Sequence, residues 1–256
     1  RRAAGRPEAM RIVTLNTWKN EGDYPRRLGL MARGLQALDP DIVCLQECFA
    51  AQGVDTACQL GKALGLFVFA QPARSKLRPH DGRPTLSTSG LAILSRWTPV
   101  GEERLALASD PADDERIAQR LDLTTPDGPL RVLNLHLTHL RGPEADKLRR
   151  RQLEDALAWA GEGLPGGLVL SGDLNAGSRD PSLQALDATL DHQAPATLLG
   201  PRDDPGAEGR PAIDHAVLAQ PGGWRVAGRC RVLDSVDSEG WRASDHAGVM
   251  LDLAQA

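Results

Sequence analysis

The sequence predicts an α/β fold, a four-layer sandwich of two packed mixed sheets flanked by helices. The first quarter of the chain alternates apolar strand-like runs with amphipathic helical runs. A series of short, turn-bounded strands follows in the middle of the chain. Polar motifs occur where the predicted strands end, which is where layered α/β proteins build their sites.

The N-terminal elements set up this alternation. A first strand is predicted at 11–15 and a helix at 26–38. The nearly continuous apolar run 42–46 is typical of a central strand covered on both faces. A second helix, ending at Gly65, precedes a third strand at 66–70.

The next segment, 71–89, is polar and rich in Pro and Arg, without apolar periodicity. It is predicted to be a long loop beside a functional site. Four short strands follow, at 91–94, 104–107, 117–123 and 130–136. A hairpin turn at 126–128 joins the last two.

Helices and strands alternate again in the last part of the chain. A helix is predicted at 145–160, and a strand at 168–170 leads into a polar motif. A further helix is predicted at 182–190, begun by Pro181. The remaining predicted elements are strands at 213–218, 224–232 and 249–253.

Length and composition limit the possible classes of protein. The 256 residues suit one catalytic domain, predicted at 10–256, after a flexible N-terminal extension at 1–9. The net charge is −4, so no overall positive field attracts nucleic acid, which stays possible but weakly indicated as a partner. The four cysteines lack metal-site spacing, and no apolar stretch approaches membrane-spanning length. We therefore expect a cytoplasmic monomer without a membrane span.

Two polar residues end neighbouring strands near the start of the chain. Glu47 follows the apolar run 42–46, so its carboxylate emerges where a buried strand reaches the surface. Mg²⁺ prefers one or two such carboxylates. A solvated acid at a strand end is an equally good interpretation of Glu47 alone. Asn16 ends the first strand and could share the metal or bind phosphate, although such an asparagine alone is more often a turn-former.

The GDLN string at 172–175 is the most specific local motif. Asp173 and Asn175 are two residues apart, so in an extended segment both side chains point to one side. Together they could hold one water molecule or one phosphate oxygen. The alternative is an Asx turn, for which Gly172 and Gly177 would supply backbone freedom.

The SDH string at 244–246 places Asp245 beside His246. Adjacent strand residues face opposite ways, so another carboxylate must orient the histidine, and Asp214 is the candidate. Such a pair is a standard general-base arrangement and raises the histidine pKa. His215 should face away from Asp214, into packing or solvent.

Two further histidines are three residues apart in NLHLTHL. His136 continues the inward phase of Asn134 and is the predicted functional histidine. His139 should point to the opposite face of the strand and lie behind the site, so the two are not expected to share an ion.

Seven ordered motifs together resemble the endonuclease/exonuclease/phosphatase superfamily, which includes deoxyribonucleases, repair nucleases, sphingomyelinases and inositol polyphosphate 5-phosphatases. The resemblance spans 11–253 and leans towards the deoxyribonuclease and sphingomyelinase-like branch, because NLHL contains a histidine. The motifs are LNTW (15–18), CLQE (44–47), GLAILSR (90–96), NLHL (134–137), GDLN (172–175), ID (213–214) and SDH (244–246).

The resemblance implies a role for each motif residue. Glu47 resembles the metal carboxylate, with Asn16 and Asp245 near the same ion. Asp173 and Asn175 resemble the pair that positions the nucleophile and a phosphate oxygen. The implied histidine set is His246, which activates water or stabilises the transition state, its supporting Asp214, and His136.

Departures from the family motifs bear on the substrate. The aromatic and basic string that repair enzymes carry before ID is absent, and one Tyr and three Phe offer little base stacking. We expect a Mg²⁺-dependent phosphodiesterase, with Mn²⁺ able to substitute. The alternatives are a phosphatase on a small or lipid-derived phosphate, a nuclease, or a silent binding scaffold. Basic residues expected at the rim of the site are Arg74, Lys76, Arg78 and Arg83.

Overall fold

A computed structural model describes residues 9–113, 115–202, 204 and 206–256. Apart from Ala9, the predicted N-terminal extension lies outside the described residues. The strands are β1 (Met10–Asn16), β2 (Ile42–Ala51), β3 (Val54–Asp55), β4 (Phe67–His80), β5 (Arg83–Ser95), β6 (Pro99–Ala106), β7 (Ile117–Thr125), β8 (Gly128–His136), β9 (Gly167–Asp173), β10 (Asp214–Gln220), β11 (Trp224–Val232) and β12 (Gly248–Gln255). The helices are α1 (Tyr24–Leu38), α2 (Thr56–Leu64) and α3 (Pro143–Gly161), with 3₁₀ helices at Pro181–Thr189 and Ala207–Gly209.

The strands of the described chain form two mixed sheets. The first has the order β11-β12-β1-β2-β5-β4, with β3 paired to β2, and the second has the order β10-β9-β8-β7-β6. Each sheet contains one parallel pair, β1 with β2 and β8 with β9. Parallel neighbours end at the same edge of a sheet, so the polar residues that follow these four strands are brought together.

Three apolar clusters confirm the predicted four-layer sandwich. One lies between the sheets and includes Ile12, Ile93, Val132 and Val169. A second packs α1 and α2 on the first sheet, and a third packs α3 on the second. No helix in the described ranges is long and apolar enough to cross a membrane.

Two motif residues join the sheets through buried hydrogen bonds. Gln46 donates from Nε2 to Asn134 Oδ1 at 2.7 Å, and Asn134 Nδ2 donates to the carbonyls of Leu45 and Ala92. Since an unpaired buried amide is costly, this network fixes the offset between the sheets. It thereby sets how far His136, at the end of β8, lies from Glu47. Contrary to the prediction, Glu47 does not end its strand, because β2 continues to Ala51 and Glu47 lies at an irregularity in the pairing with β5 between Leu45 and Cys48.

The loop prediction for 71–89 is wrong, because this segment forms most of a long β4–β5 hairpin. Its turn residues Asp81 and Gly82 have φ angles of 50° and 72°, as a type I′ turn requires. The Asp-Gly pair is a hairpin signal that was present in the sequence. It was missed because the flanking strands are polar and contain prolines, which hides the usual apolar alternation.

Candidate active site

One cavity of about 320 Å³ opens where the two sheets bring their strand ends together. It is lined by every residue that the motifs single out except Asp214, which lies behind His246. These residues are Asn16, Glu47, His136, Asp173, Asn175, Asp245 and His246.

Strand register in the second sheet places three of the predicted residues in one row. His136 at the end of β8 is level with Asp173 at the end of β9, and Asp173 is level with Asp214 at the start of β10. Gly172 permits this close approach, since a Cβ there would meet Leu135 O at 1.9 Å. Thr197 Oγ1 fixes the start of β10 by accepting hydrogen bonds from two backbone N–H groups.

Asp173 is the centre of the site. Its Oδ2 accepts from Asn16 Nδ2 at 3.0 Å and lies 3.6 Å from His136 Nε2 and 3.9 Å from His246 Nε2. Its Oδ1 accepts from the backbone N–H of Asn175 at 2.9 Å. The Asx turn considered for GDLN is therefore present, and both side chains also line the cavity. Burial, with a further contribution from Asp214, raises the pKa of Asp173 to about 7.

The structure places Asp214 as the partner of His246, at 2.8 Å between Oδ2 and Nδ1. Burial alone would lower the pKa of His246, but Asp214, Asp173 and Asp245 outweigh it and raise the pKa well above its ordinary value. The surroundings of His246 therefore favour its protonated form, which suits an acid or an anion-binding group. His215 faces away, as predicted, with its Nε2 at 2.9 Å from Ala176 O.

His136 has the opposite electrostatic environment. Burial lowers its pKa well below the ordinary value, and the nearby positive groups Arg116 and Lys19 lower it further. The pKa values of the two histidines that face Asp173 are thus shifted in opposite directions. Titratable groups whose environments drive their pKa values apart are typical of acid and base partners.

The predicted metal residues form an oxygen-rich wall of the cavity. Glu47 and Asp245 are close enough for Glu47 to help burial raise the pKa of Asp245. Two carboxylates together are unfavourable without a cation, and Lys19 Nζ lies 3.0 Å from Glu47 Oε2. Ser244 Oγ donates to Asn16 O at 2.7 Å and so ties the wall together. Such a donor set fits Mg²⁺ or Mn²⁺.

A second acidic and imidazole group is Asp173, Asp214 and His246, whose ligand atoms lie within 4.8 Å of one another. These atoms already have partners, since a hydrogen bond joins His246 to Asp214 and Asn16 donates to Asp173. The wall is partnered as well, since Glu47 pairs with Lys19 and Asn16 Oδ1 accepts from the backbone N–H of Trp18.

Backbone strain concentrates at the same cavity. Trp18, Lys19, Glu47 and Asn175 line it and have positive φ angles of 53°, 42°, 55° and 53°. Non-glycine residues in this region are uncommon and persist when the surrounding structure holds them there. The strain indicates that the cavity is shaped for a function.

Arg27 holds the strained loop after β1, and the sequence analysis missed it. The side chain is fully buried on α1, and its guanidinium donates to five carbonyls. These acceptors are Thr17 O, Trp18 O, Lys19 O, Glu21 O and Ala243 O. Arg27 is one of three arginines on α1, so nothing in the sequence distinguished it from the other two. Four of its acceptors lie in the loop just before the helix, and Ala243 O belongs to a segment far along the chain.

His139 also lines the cavity, which corrects the prediction that it lies behind the site. Strand β8 ends at His136, so strand alternation does not extend to His139. Its Nδ1 lies 2.5 Å from Oδ1 of the buried Asp113, which also pairs with Arg116. Asp113 and Arg116 belong to a loop without a motif, so no local pattern pointed to them.

The basic residues expected at the rim divide between the inside and the outside of the protein. Among the described residues of this group, Arg74 lines the cavity. Arg78 is buried and donates to Ser87 and Ser89, whereas Lys76 and Arg83 are exposed on the β4–β5 hairpin.

Comparisons with known proteins agree with this architecture. The model of the Endonuclease/Exonuclease/phosphatase family matches residues 13–246. A family protein from Bacteroides thetaiotaomicron is 20% identical with a TM-score of 0.75, covering 98% of this chain and 99% of its own. The mannosyl-6-phosphatase Bt3783 of the same species is 21% identical with a TM-score of 0.72, covering 96% and 99%. D. rerio TDP2, solved with a single-strand DNA product, is 17% identical with a TM-score of 0.66, covering 97% and 100%. No curated protein sequence matches the chain.

Proposed function

Because the chain belongs to the endonuclease/exonuclease/phosphatase family, whose members are phosphoester hydrolases, we propose that it is a Mg²⁺-dependent phosphodiesterase. The observation that carries the proposal is the position of Asp173. Its carboxylate lies between a neutral and a protonated histidine and next to an oxygen-rich metal wall. The substrate class we propose is a small or lipid-like phosphodiester.

The proton transfers follow from the two opposed environments. Asp173, with its pKa raised to about 7, takes a proton from the attacking water, which Asn175 helps to position. As the water attacks phosphorus and the bond to the leaving oxygen breaks, protonated His246 gives its Nε2 proton to that oxygen. Asp214 holds His246 in this state, and neutral His136 supports the opposite side of Asp173.

Glu47, Asn16 and Asp245 would hold the metal. When bound, a divalent cation supplies charge neutralisation at the phosphate and an acidified water. Lys19 lies beside Glu47 and would release it to the ion.

The test compares an aryl phosphodiester with the matching monoester under controlled metal. We expect Mg²⁺ or Mn²⁺ to support turnover of the diester and EDTA to abolish it. Glu47→Gln should weaken Mn²⁺ binding, read by electron paramagnetic resonance, roughly tenfold or more while leaving the melting temperature nearly unchanged. Glu154→Gln on the exposed face of α3 is the matched control.

Two outcomes would contradict the proposal. Undiminished turnover after thorough chelation would exclude the metal requirement. Faster hydrolysis of the monoester than of the diester would replace the diesterase with a phosphatase.

A further inference from the structure

The β4–β5 hairpin carries different chemistry on its two faces. Pairing sets Leu77 opposite Leu86 and Pro79 opposite Pro84, so these four side chains share one face. All four are exposed, and Leu77 and Leu86 are 66% and 68% exposed. They rank among the most exposed large apolar side chains in the described part of the chain.

The opposite face of the hairpin is basic. Its side chains alternate with the apolar ones and are Arg74, Lys76, Arg78, His80 and Arg83. These positive charges lower the pKa of Lys76, with the largest contribution from Arg74 and a smaller one from Arg78. Among the described residues neither Lys76 nor Arg83 forms an ion pair. The turn residue Asp81 is the one acid on the tip, so the tip is positive in a chain of net charge −4.

The hairpin is anchored beside the mouth of the cavity. Arg74 and Ser89 at its base line the cavity. Further out, Asn20 Nδ2 donates to Pro79 O at 2.7 Å, and the His80 ring lies 5.1 Å from the Phe49 ring. Three residues of extended strand separate Arg74 from Leu77, a distance of roughly 10 Å. The apolar face therefore lies close to the cavity and turns away from it.

We propose that the tip of the β4–β5 hairpin inserts its leucines and prolines into the interface of an anionic lipid bilayer, with Lys76 and Arg83 on the headgroups. Exposed apolar side chains next to basic ones are the pattern of interfacial membrane binding. The cavity then lies beside the membrane, with its mouth on the basic side of the hairpin and not on the inserted face. The inference deepens the proposed action on a lipid-like diester, and its binding step is independent of that function.

A protein partner fits this surface less well. Four side chains offer a few hundred Å² at most, against roughly 800 Å² per partner in a stable interface. Addition of a strand from a second copy at the exposed edge of β4 is opposed by Pro72, Pro79 and Lys76, residues that protect sheet edges.

The test measures co-sedimentation of the full chain with vesicles of phosphatidylcholine, with and without phosphatidylglycerol, in EDTA. We expect binding to the anionic vesicles that weakens with salt. Leu77→Thr with Leu86→Thr should reduce partitioning about tenfold or more, because threonine suits a strand but removes apolar surface. The matched control is Val100→Thr, at a residue that is 75% exposed on β6.

A second pair of variants isolates the charge. Lys76→Gln with Arg83→Gln should lower binding to the anionic vesicles roughly tenfold or more and flatten the salt dependence. Lys147→Gln with Arg151→Gln on the exposed face of α3 should change neither. Hydrolysis of a soluble aryl diester should be the same in the leucine variant and the wild type. Failure of the diesterase proposal would appear in this hydrolysis assay, whereas failure of the docking proposal would appear in the vesicle assay.

Three outcomes overturn the docking proposal. The first is a wild type that does not sediment with anionic vesicles. The second is a leucine variant that sediments as the wild type does. The third is that the leucine pair controls self-association, measured by light scattering without lipid.

Discussion

At the residue scale, Asp214 acts on the reaction through its neighbours, because it lies behind the imidazole of His246 and not on the cavity wall. It holds His246 by a hydrogen bond and helps burial to raise the pKa of Asp173. The contact with Asp214 also affects which charge state of His246 is favoured. Without Asp214, burial would oppose the proton on His246 and only Asp173 and Asp245 would still favour it.

We therefore expect His246→Ala and Asp214→Asn each to lower kcat by roughly 10²-fold or more. The double variant should be little worse than the worse single variant, since the two residues act as a unit. Steady-state kinetics on an aryl diester measures this. Additive losses would show that Asp214 has a separate role.

Asp113 leads to a prediction about pH and stability. Although burial alone would raise its pKa, hydrogen bonds from Arg116 and Thr138 hold the pKa below 3.8. A depressed folded-state pKa stabilises the protein fully above the unfolded value, and the contribution is lost as the pH falls through the lower folded value. Asp113→Asn should therefore lower the free energy of unfolding at pH 7, and the gap to the wild type should shrink below pH 3.8.

Urea denaturation across this pH range measures the gap. Glu154→Gln on α3 serves as the control and should show no such change with pH. A gap that stays constant down to the acid limit would mean that Asp113 contributes by packing and not by its charge.

At the scale of elements, α1 supports the site through one side chain. Arg27 holds the loop that contains Trp18 and Lys19 in their strained conformations. Burial lowers its pKa to about 10, so it still carries its charge at neutral pH.

Arg27→Lys should be far from conservative, because an ammonium cannot serve five carbonyls arranged around a planar guanidinium. We expect a loss of about 2–4 kcal/mol in the free energy of unfolding and a fall in kcat/KM. Arg33→Lys on the exposed face of α1 is the control. Chemical denaturation and kinetics measure the two effects, and a variant as stable and active as the wild type would contradict the role assigned to Arg27.

At the scale of the whole molecule, charge separates the possible substrates. A nuclease that tracks a polyanion loses affinity steeply with salt as its basic contacts release counterions. Here the net charge is −4, and two of the basic side chains nearest the reacting groups are paired with carboxylates. Arg149 on α3 adds nothing to the basic surface, since it is fully buried and donates to Thr138 O and Leu140 O.

We therefore expect weak, non-specific action on DNA and better turnover of a small or lipid-like diester. The measurement is the salt dependence of kcat/KM on single-stranded DNA, duplex DNA and a small diester. Efficient duplex cleavage with a steep salt slope that Lys76→Gln and Arg83→Gln reduce would reverse this ranking in favour of a nuclease.

The sequence by itself determined the layered fold and the residue types at the ends of β1, β8 and β9. It could do so because apolar periodicity is local and because motifs at strand ends meet wherever parallel strands share an edge. Asp214 was also predicted as the partner of His246, but the reason was wrong, because residues 244–246 precede β12 and both Asp245 and His246 line the cavity.

Only the tertiary structure decided in which direction the pKa of each histidine is shifted and which way the β4–β5 hairpin faces. It also decided which carbonyls Arg27 contacts and which side chains pair with Asp113. These properties depend on burial and on charges and carbonyls contributed by distant segments, as with the contact of Arg27 to Ala243 O. A pKa and a buried hydrogen bond are set by three-dimensional surroundings, and no short string of residues contains them.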